Sequence, residues 1–164
     1  MSEEQDTGAA NGESQQPGRK IGLGKIYVKD LSFEAPGAPG VFTRQDFRPS
    51  TNLNLRTSNT KMDEDLYEAV LTLTLDAKFE GETAFLVEIQ QAGLFHLKGY
   101  SDPELNMILG TFCPNTLFPY AREAISGAVQ RGGFPELLLQ PIDFDDLYRR
   151  SQAEQAQQPQ VADA

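Results

Sequence analysis

Alternating apolar and polar positions in the first two thirds of the chain predict β-strands. A period of two is typical of strands that bury one side, and it recurs over residues 23–33, 51–57, 66–79 and 83–91. The third segment is the clearest, because Leu71, Leu73 and Leu75 share one side while Thr72 and Thr74 share the other. The Glu-Gly-Glu sequence at 80–82 is a tight-turn candidate, which favours an antiparallel meander.

Helical spacing replaces this alternation after about residue 100. Asp143 is a candidate cap for a last helix that runs from Phe144 to about residue 155. A first helix is predicted over residues 103–112 by the spacing of its apolar side chains, which are Leu105, Ile108, Leu109 and Phe112. Strands followed by helices predict an α+β fold with a four-stranded antiparallel sheet.

A middle helix is predicted to end at Arg131. Thr116 is a candidate N-cap, which would place Pro119 in the first turn, where its missing N–H is tolerated. Gly132 suits the left-handed position that follows many helices. Close packing against another helix, within the subunit or between subunits, is indicated by small residues at Ala121, Ala124 and Ala128.

Polar sequence at both ends predicts one folded body between two tails. Residues 1–20 are acidic and lack the apolar side chains that would offset chain entropy, so we expect disorder there. Residues 151–164 are rich in glutamine and alanine, so we expect a flexible polar tail. The folded domain is therefore expected over residues 21–150.

The chain is acidic, with a formal net charge of -10 and a pI of about 4.5. Such a surface repels phosphate backbones and attracts basic peptide segments, so we expect protein partners and no nucleic acid. The sequence shows neither an apolar run of membrane-spanning length nor the apolar core of a secretory signal. We therefore expect a cytoplasmic protein without direct membrane insertion.

Candidate catalytic residues are few. Cys113 is the one cysteine and lies beside Pro114 in apolar sequence, which favours a buried, unreactive thiol over a nucleophile. His96 is the one histidine, which argues against a histidine-based triad or metal cluster. We expect no catalytic residue, no metal and no cofactor. An enzyme that uses Cys113 or the acidic clusters is the alternative, and it predicts an accessible thiol with a lowered pKa.

Three long segments resemble the protein-export chaperone SecB family. They are KDLSFEAPGAP at 29–39, TAFLVEIQQAGLF at 83–95 and CPNTLFPYAREAISGAVQRGGFP at 113–135. The resemblance spans about residues 26–148. It implies a homotetramer, built as a dimer of dimers, that uses no nucleotide. Each subunit would combine a four-stranded antiparallel sheet with two main helices. It also implies binding of unfolded secretory precursor proteins in the cytoplasm and their delivery to the translocation ATPase SecA.

The resemblance also assigns surfaces to particular residues. It implies a SecA-docking surface of Asp30, Glu34, Leu86 and Glu88, whose carboxylates would face a basic tail. It implies a groove for client peptides, with Phe47, Leu53, Leu55, Phe144, Leu147 and Tyr148. It implies that tetramer assembly depends on the row Val87, Ile89 and Gln91, beside the three alanines named above. A related chaperone dedicated to another client, such as a toxin–antitoxin system, is the alternative.

Overall fold

A four-stranded antiparallel sheet is the framework of the protein in the computed structural model, which describes residues 18–157. Its strands are β1 (Lys20–Glu34), β2 (Ser50–Asp63), β3 (Leu66–Phe79) and β4 (Glu82–Lys98). The order β1-β4-β3-β2 makes β1 and β2 the edges. The predicted α+β class and antiparallel sheet are confirmed. Of the tails predicted at 1–20 and 151–164, residues 1–17 and 158–164 lie outside the described residues.

The strands are longer than the alternation predicts. β1 begins at Lys20, β2 reaches Asp63, and β4 continues to Lys98. The central strand β4 pairs with β1 as far as Lys98 and with β3 as far as His96. These backbone hydrogen bonds on both sides hold β4 extended even where its side chains no longer alternate cleanly.

The turn between β3 and β4 has the predicted position. Glu80 and Gly81 have φ values of 52° and 82°, which is the left-handed geometry of a two-residue hairpin turn. The connection from β1 to β2 instead crosses from one edge of the sheet to the other and contains a 3₁₀ turn at Gly40–Thr43. An ion pair between Arg44 and Glu80 ties this crossover connection to the β3–β4 turn.

Three helices follow the sheet, namely α1 (Asp102–Gly110), α2 (Phe112–Arg131) and α3 (Phe144–Gln157). Asp143 caps α3 as predicted, because its Oδ1 accepts a hydrogen bond from the Asp146 N–H at 2.9 Å. The helix continues to Gln157, so residues 151–157 are helical although they were assigned to the tail. The two main helices are α2 and α3, and α1 is a short addition before them.

The predicted start of α2 was wrong. The helix begins at Phe112, and the Thr116 hydroxyl donates to the Phe112 carbonyl at 2.8 Å instead of capping a helix. Pro119 therefore lies inside α2 rather than in its first turn. Proline has no N–H, so the carbonyl of Asn115 lacks the hydrogen-bond donor that residue 119 would otherwise supply. Asn115 and Pro119 are both exposed, so water can solvate this carbonyl.

The left-handed glycine after α2 is Gly133, with φ 85°, and not Gly132 as predicted. Gly132 has φ -71°, and its N–H donates to the Ala128 carbonyl at 2.9 Å. A Cβ at Gly132 would lie 2.3 Å from the ring of Phe33. Close packing against β1, rather than backbone conformation, therefore explains this glycine.

The helices cover only one side of the sheet. Odd-numbered side chains of β3 and β4 pack against α2 to form the core, as the alternation predicted. Fully buried members include Leu71, Leu73, Leu75, Phe85, Leu117 and Ile125. Each such side chain stabilises the fold by about 1.5–3 kcal/mol. Even-numbered residues line the other side, which carries no helix within residues 18–157. We call it the helix-free face.

Candidate functional site

Phenylalanine rings cluster where the crossover connection meets the end of α2. The ring centre of buried Phe134 lies 4.7 Å from that of Phe85, 5.1 Å from Phe42 and 5.7 Å from Phe47. Phe42 is 51% exposed and Phe47 is half-buried. The cluster therefore has a buried base and an open apolar rim.

Two cavities flank Phe47 and Phe134. One of about 280 Å³ extends towards Thr51 and Leu137, and one of about 150 Å³ extends towards Phe42. We call this region the phenylalanine groove. Its rings and aliphatic side chains suit apolar segments of many sequences, because burial of apolar surface has no directional requirement.

Two of the predicted client-binding residues lie on β2. Leu53 pairs with Leu75 and Leu55 pairs with Leu73, so both face the helix-covered side. Both are half-buried against the core. Together with Phe47, they place partly exposed apolar surface on that side of the sheet.

The three predicted client-binding residues of α3 differ in exposure. Phe144 is 1% exposed and lies against Phe118, with ring centres 6.1 Å apart. Tyr148 packs over Gly110 of α1, where an added Cβ would come within 2.6 Å of its ring. These two side chains anchor α3, and a client could reach Phe144 only if α3 moved. Leu147 is 40% exposed and offers open apolar surface.

The predicted SecA-docking residues lie together on the helix-free face. Glu34 of β1 is the direct partner of Leu86 on β4. Glu88 is two residues further along β4, and Asp30 pairs with Gln90 in the row after that. Directly opposed residues share a face of an antiparallel sheet, so the register joins all four into one patch. The four residues belong to two separate segments of the sequence, and the β1–β4 pairing brings them together.

Glu88 leans away from β1. Its Oε2 accepts a hydrogen bond from the Thr74 hydroxyl of β3 at 2.7 Å. A shallow depression of about 320 Å³ lies beside it, lined also by Asn54, Arg56 and Thr72. The acidic patch therefore extends across β4 towards β3.

A polar cluster on the same face was not predicted. Tyr27 of β1 reaches across β4 and donates its hydroxyl to Glu68 of β3, and Lys29 Nζ lies 2.8 Å from the other Glu68 oxygen. The hydrogen bonds from Lys29 and Tyr27 lower the pKa of Glu68. Burial and the Glu68 carboxylate raise the pKa of Tyr27 to about 12. Lys29 and Asp30 belong to one quoted segment, but Glu68 is too distant in sequence to suggest this contact.

Most of the residues that the resemblance assigned to assembly are buried within the subunit. Val87 and Ile89 are 0% exposed in the core, and the Gln91 side-chain amide donates to the Tyr27 carbonyl at 3.0 Å. Ala121 is also 0% exposed, Ala128 is buried and Ala124 is half-buried. Within this fold, Val87, Ile89 and Ala121 can affect association only through the packing of the surfaces around them.

A row of exposed apolar residues lies on the edge strand β1. Each is the direct partner of a buried β4 residue, so the row faces the helix-covered side of the sheet. The row consists of Ile21, Leu23, Val28 and Leu31, which are 41–50% exposed. Neither alternation nor the resemblance singled it out, because only the strand order reveals β1 as an edge.

The catalytic candidates are not assembled into a site. Cys113 is 0% exposed, and burial raises the pKa of its thiol to about 12, which is opposite to the activation that a nucleophile needs. His96 is exposed at the far end of β4. Among residues 18–157, no group of three or more His, Cys, Asp or Glu side chains could hold a metal ion.

Comparison with known proteins places the chain in a family. The profile of the family described as preprotein translocase subunit SecB matches residues 13–155. The chain is 50% identical to a protein-export protein SecB of Ectopseudomonas mendocina, over 90% of each chain. It is 46% identical to one of Nitrosococcus oceani, over 95% of this chain and 94% of that one. The chain belongs to the SecB family.

Membership in the SecB family confirms the resemblance seen in the sequence. The protein is a protein-export chaperone and not an enzyme. Its fold is similar to that of a SecB-like chaperone from Mycobacterium tuberculosis, solved in complex with a peptide from an antitoxin. The TM-score is 0.64 at 16% identity, over 75% of this chain and 91% of that one. In the described part of the chain, no helix has the length and apolar character to cross a membrane.

Proposed function

We propose that this SecB-family protein is a cytoplasmic chaperone that binds unfolded secretory precursors without ATP and delivers them to SecA. The observation that carries the proposal is the phenylalanine groove, with a buried aromatic base and a 51% exposed Phe42 on its rim. Unfolded chains expose apolar and aromatic side chains that folded chains bury. An open apolar groove therefore selects non-native chains by exposure rather than by sequence.

The half-buried leucines of β2 extend this apolar surface. Leu53 and Leu55 lie on the helix-covered side, and the neighbouring Asn52 and Asn54 lie on the helix-free face. One strand therefore offers matched substitutions on opposite sides of the sheet.

The test is client binding by the double variant Leu53→Asn/Leu55→Asn. Loss of this apolar contact area is expected to weaken binding of an unfolded precursor by about 10-fold. The control Asn52→Ser/Asn54→Ser should bind as the wild type does. Fluorescence anisotropy of a labelled, non-native precursor measures both. Unchanged affinity in the leucine variant, with its oligomeric state intact, would refute the assignment of β2 to the groove.

We propose docking of SecA on the helix-free face through Asp30, Glu34, Leu86 and Glu88. The support is their register on adjacent strands and the complementarity between this acidic patch and a basic tail. We also propose assembly as a homotetramer, a dimer of dimers. The exposed apolar row on edge strand β1 supports this, because such an edge offers both unpaired backbone groups and apolar area to another subunit.

A further inference from the structure

The row of side chains that contains Leu86 continues beyond the docking residues named so far. On one side Leu86 pairs with Glu34 of β1, and on the other side it pairs with Asp76 of β3. Neighbouring strands lie about 4.8 Å apart, so the two acidic residues flank the leucine at roughly equal distances. An apolar side chain between two carboxylates is complementary to a segment that carries both apolar and basic residues.

The carboxylate of Asp76 has few polar contacts within its own protein. Its Oδ1 is buried without a hydrogen-bond partner among the described residues, and its Oδ2 lies 3.8 Å from Lys78 Nζ. The side chains of Lys78 and Asp76 are 56% and 28% exposed, so this contact is weak and open to water. An unsatisfied buried oxygen destabilises a fold, so a structural role does not explain the carboxylate.

Charges on the helix-free face are distributed unevenly. Asp76 lies one row from Glu88, whose carboxylate already leans towards β3 through Thr74. The opposite end of the face carries Lys20, Lys25 and Lys98, and Arg56 on β2 lines the depression beside Glu88. The carboxylates at the end with Asp76 therefore attract a basic segment there.

We propose that Asp76 is a further SecA-docking residue, which pairs with a basic side chain while an apolar side chain of the same segment covers Leu86. This inference rests on the proposed docking of SecA. It places the centre of the docking surface over β4 and extends the surface onto β3. Glu34 and Asp76 then contact cations on opposite sides of the apolar anchor.

The test compares SecA binding by the full-length variants Asp76→Asn, Asp76→Glu and Glu64→Gln. Glu64 lies in the β2–β3 turn at the far end of the sheet, so its variant matches the change in net charge. At low salt, Asp76→Asn should weaken binding of purified SecA about 3-fold, whereas Asp76→Glu and Glu64→Gln should stay near the wild type. The difference should disappear at high salt, because screening removes it.

Thermal unfolding separates docking from a structural role. Asp76→Asn should be at least as stable as the wild type, because it replaces a carboxylate that has an unsatisfied buried oxygen. Lower stability together with wild-type affinity for SecA would overturn the inference.

A further variant separates failure of this inference from failure of the proposed function. If Glu88→Gln weakens SecA binding and Asp76→Asn does not, docking on this face stands and the role of Asp76 is refuted. If the wild-type protein does not bind SecA at all, the proposed docking fails, and the inference about Asp76 fails with it.

Discussion

Glu68 is the side chain that fastens the edge strand β1 to the middle of the sheet. It accepts hydrogen bonds from Tyr27 and Lys29, and its own side chain is only 13% exposed. Asp30 follows Lys29 directly, so this cluster also holds the strand segment that carries a proposed docking residue. Two proposed properties of the protein, docking and assembly through β1, therefore depend on one carboxylate.

Replacing Glu68 by glutamine tests this role. The pKa of Glu68 is lowered in the folded protein, so its carboxylate stabilises the fold fully above the ordinary value of 4.5. That contribution is lost as the pH falls below 4.5 through the lowered pKa. Glu68→Gln should therefore lower the free energy of unfolding by about 1–2 kcal/mol at pH 7, and the difference from wild type should shrink at pH 3.

Urea unfolding at one fixed protein concentration measures this difference, because association would otherwise shift the midpoint. Glu64→Gln, in an exposed turn, is the control and should change stability little at either pH. A Glu68→Gln variant that matches the wild type at pH 7 would contradict a stabilising role for the cluster.

At the scale of elements, the packing of α3 on α1 and α2 sets one boundary of the proposed client surface. Phe144 fills a buried position against Phe118, and Tyr148 covers Gly110 at the end of α1. The exposed Leu147 lies between these two anchors in sequence. The position of Leu147 therefore depends on close contact of α3 with α1 and α2.

Gly110→Ala should loosen α3. The new Cβ would lie 2.6 Å from the Tyr148 ring, and overpacking of this kind destabilises by about 1–3 kcal/mol. Amide hydrogen exchange of residues 144–157 should become faster while exchange in β3 and β4 stays slow. Gly127→Ala in α2 is a matched control, because its Cβ would meet its nearest neighbours at 3.9 Å. Equal exchange in both variants would show that Tyr148 does not hold α3.

The sequence predicted elements best where short-range chemistry determines them. The Glu80–Gly81 turn and the leucine alternation of β3 are local features, and both are confirmed. The start of α2 was missed, because Thr116 looks like a cap although packing of Cys113 and Leu117 in the core continues the helix back to Phe112.

Prediction of the site was limited because its residues are brought together by long-range contacts that a local sequence pattern does not show. Asp76 was not singled out in the sequence, because only the β3–β4 register shows Leu86 beside it. The contact between Tyr27 and Glu68 joins strands separated by a third strand, and no local pattern indicates it. The resemblance supplied four docking residues, and the strand pairing showed that they form a patch.

At the scale of the whole molecule, the sheet separates two proposed activities. One side carries the helices, the phenylalanine groove and the exposed row of β1, while the helix-free face carries the acidic patch. A client and SecA can then bind simultaneously without competing for the same side chains. The net charge of -10 adds long-range attraction for a basic partner.

The proposed assembly is tested by placing a charge on the edge strand. Val28 is 50% exposed in the apolar row, so Val28→Lys should introduce a desolvated charge into a subunit interface. Sedimentation equilibrium should show a wild-type mass four times the 18.1 kDa chain and a smaller species for the variant. Thr60→Lys, on the opposite edge strand, should stay tetrameric. Tetramers in both variants would exclude this row from the interface.

The central claim is selective binding of non-native chains without nucleotide. The most direct test is calorimetric titration of the purified protein with one slow-folding secretory precursor, first unfolded and then folded. The account predicts binding of the unfolded form alone, with a negative heat-capacity change from burial of apolar surface. Equal binding of both forms, or binding of neither, would contradict it.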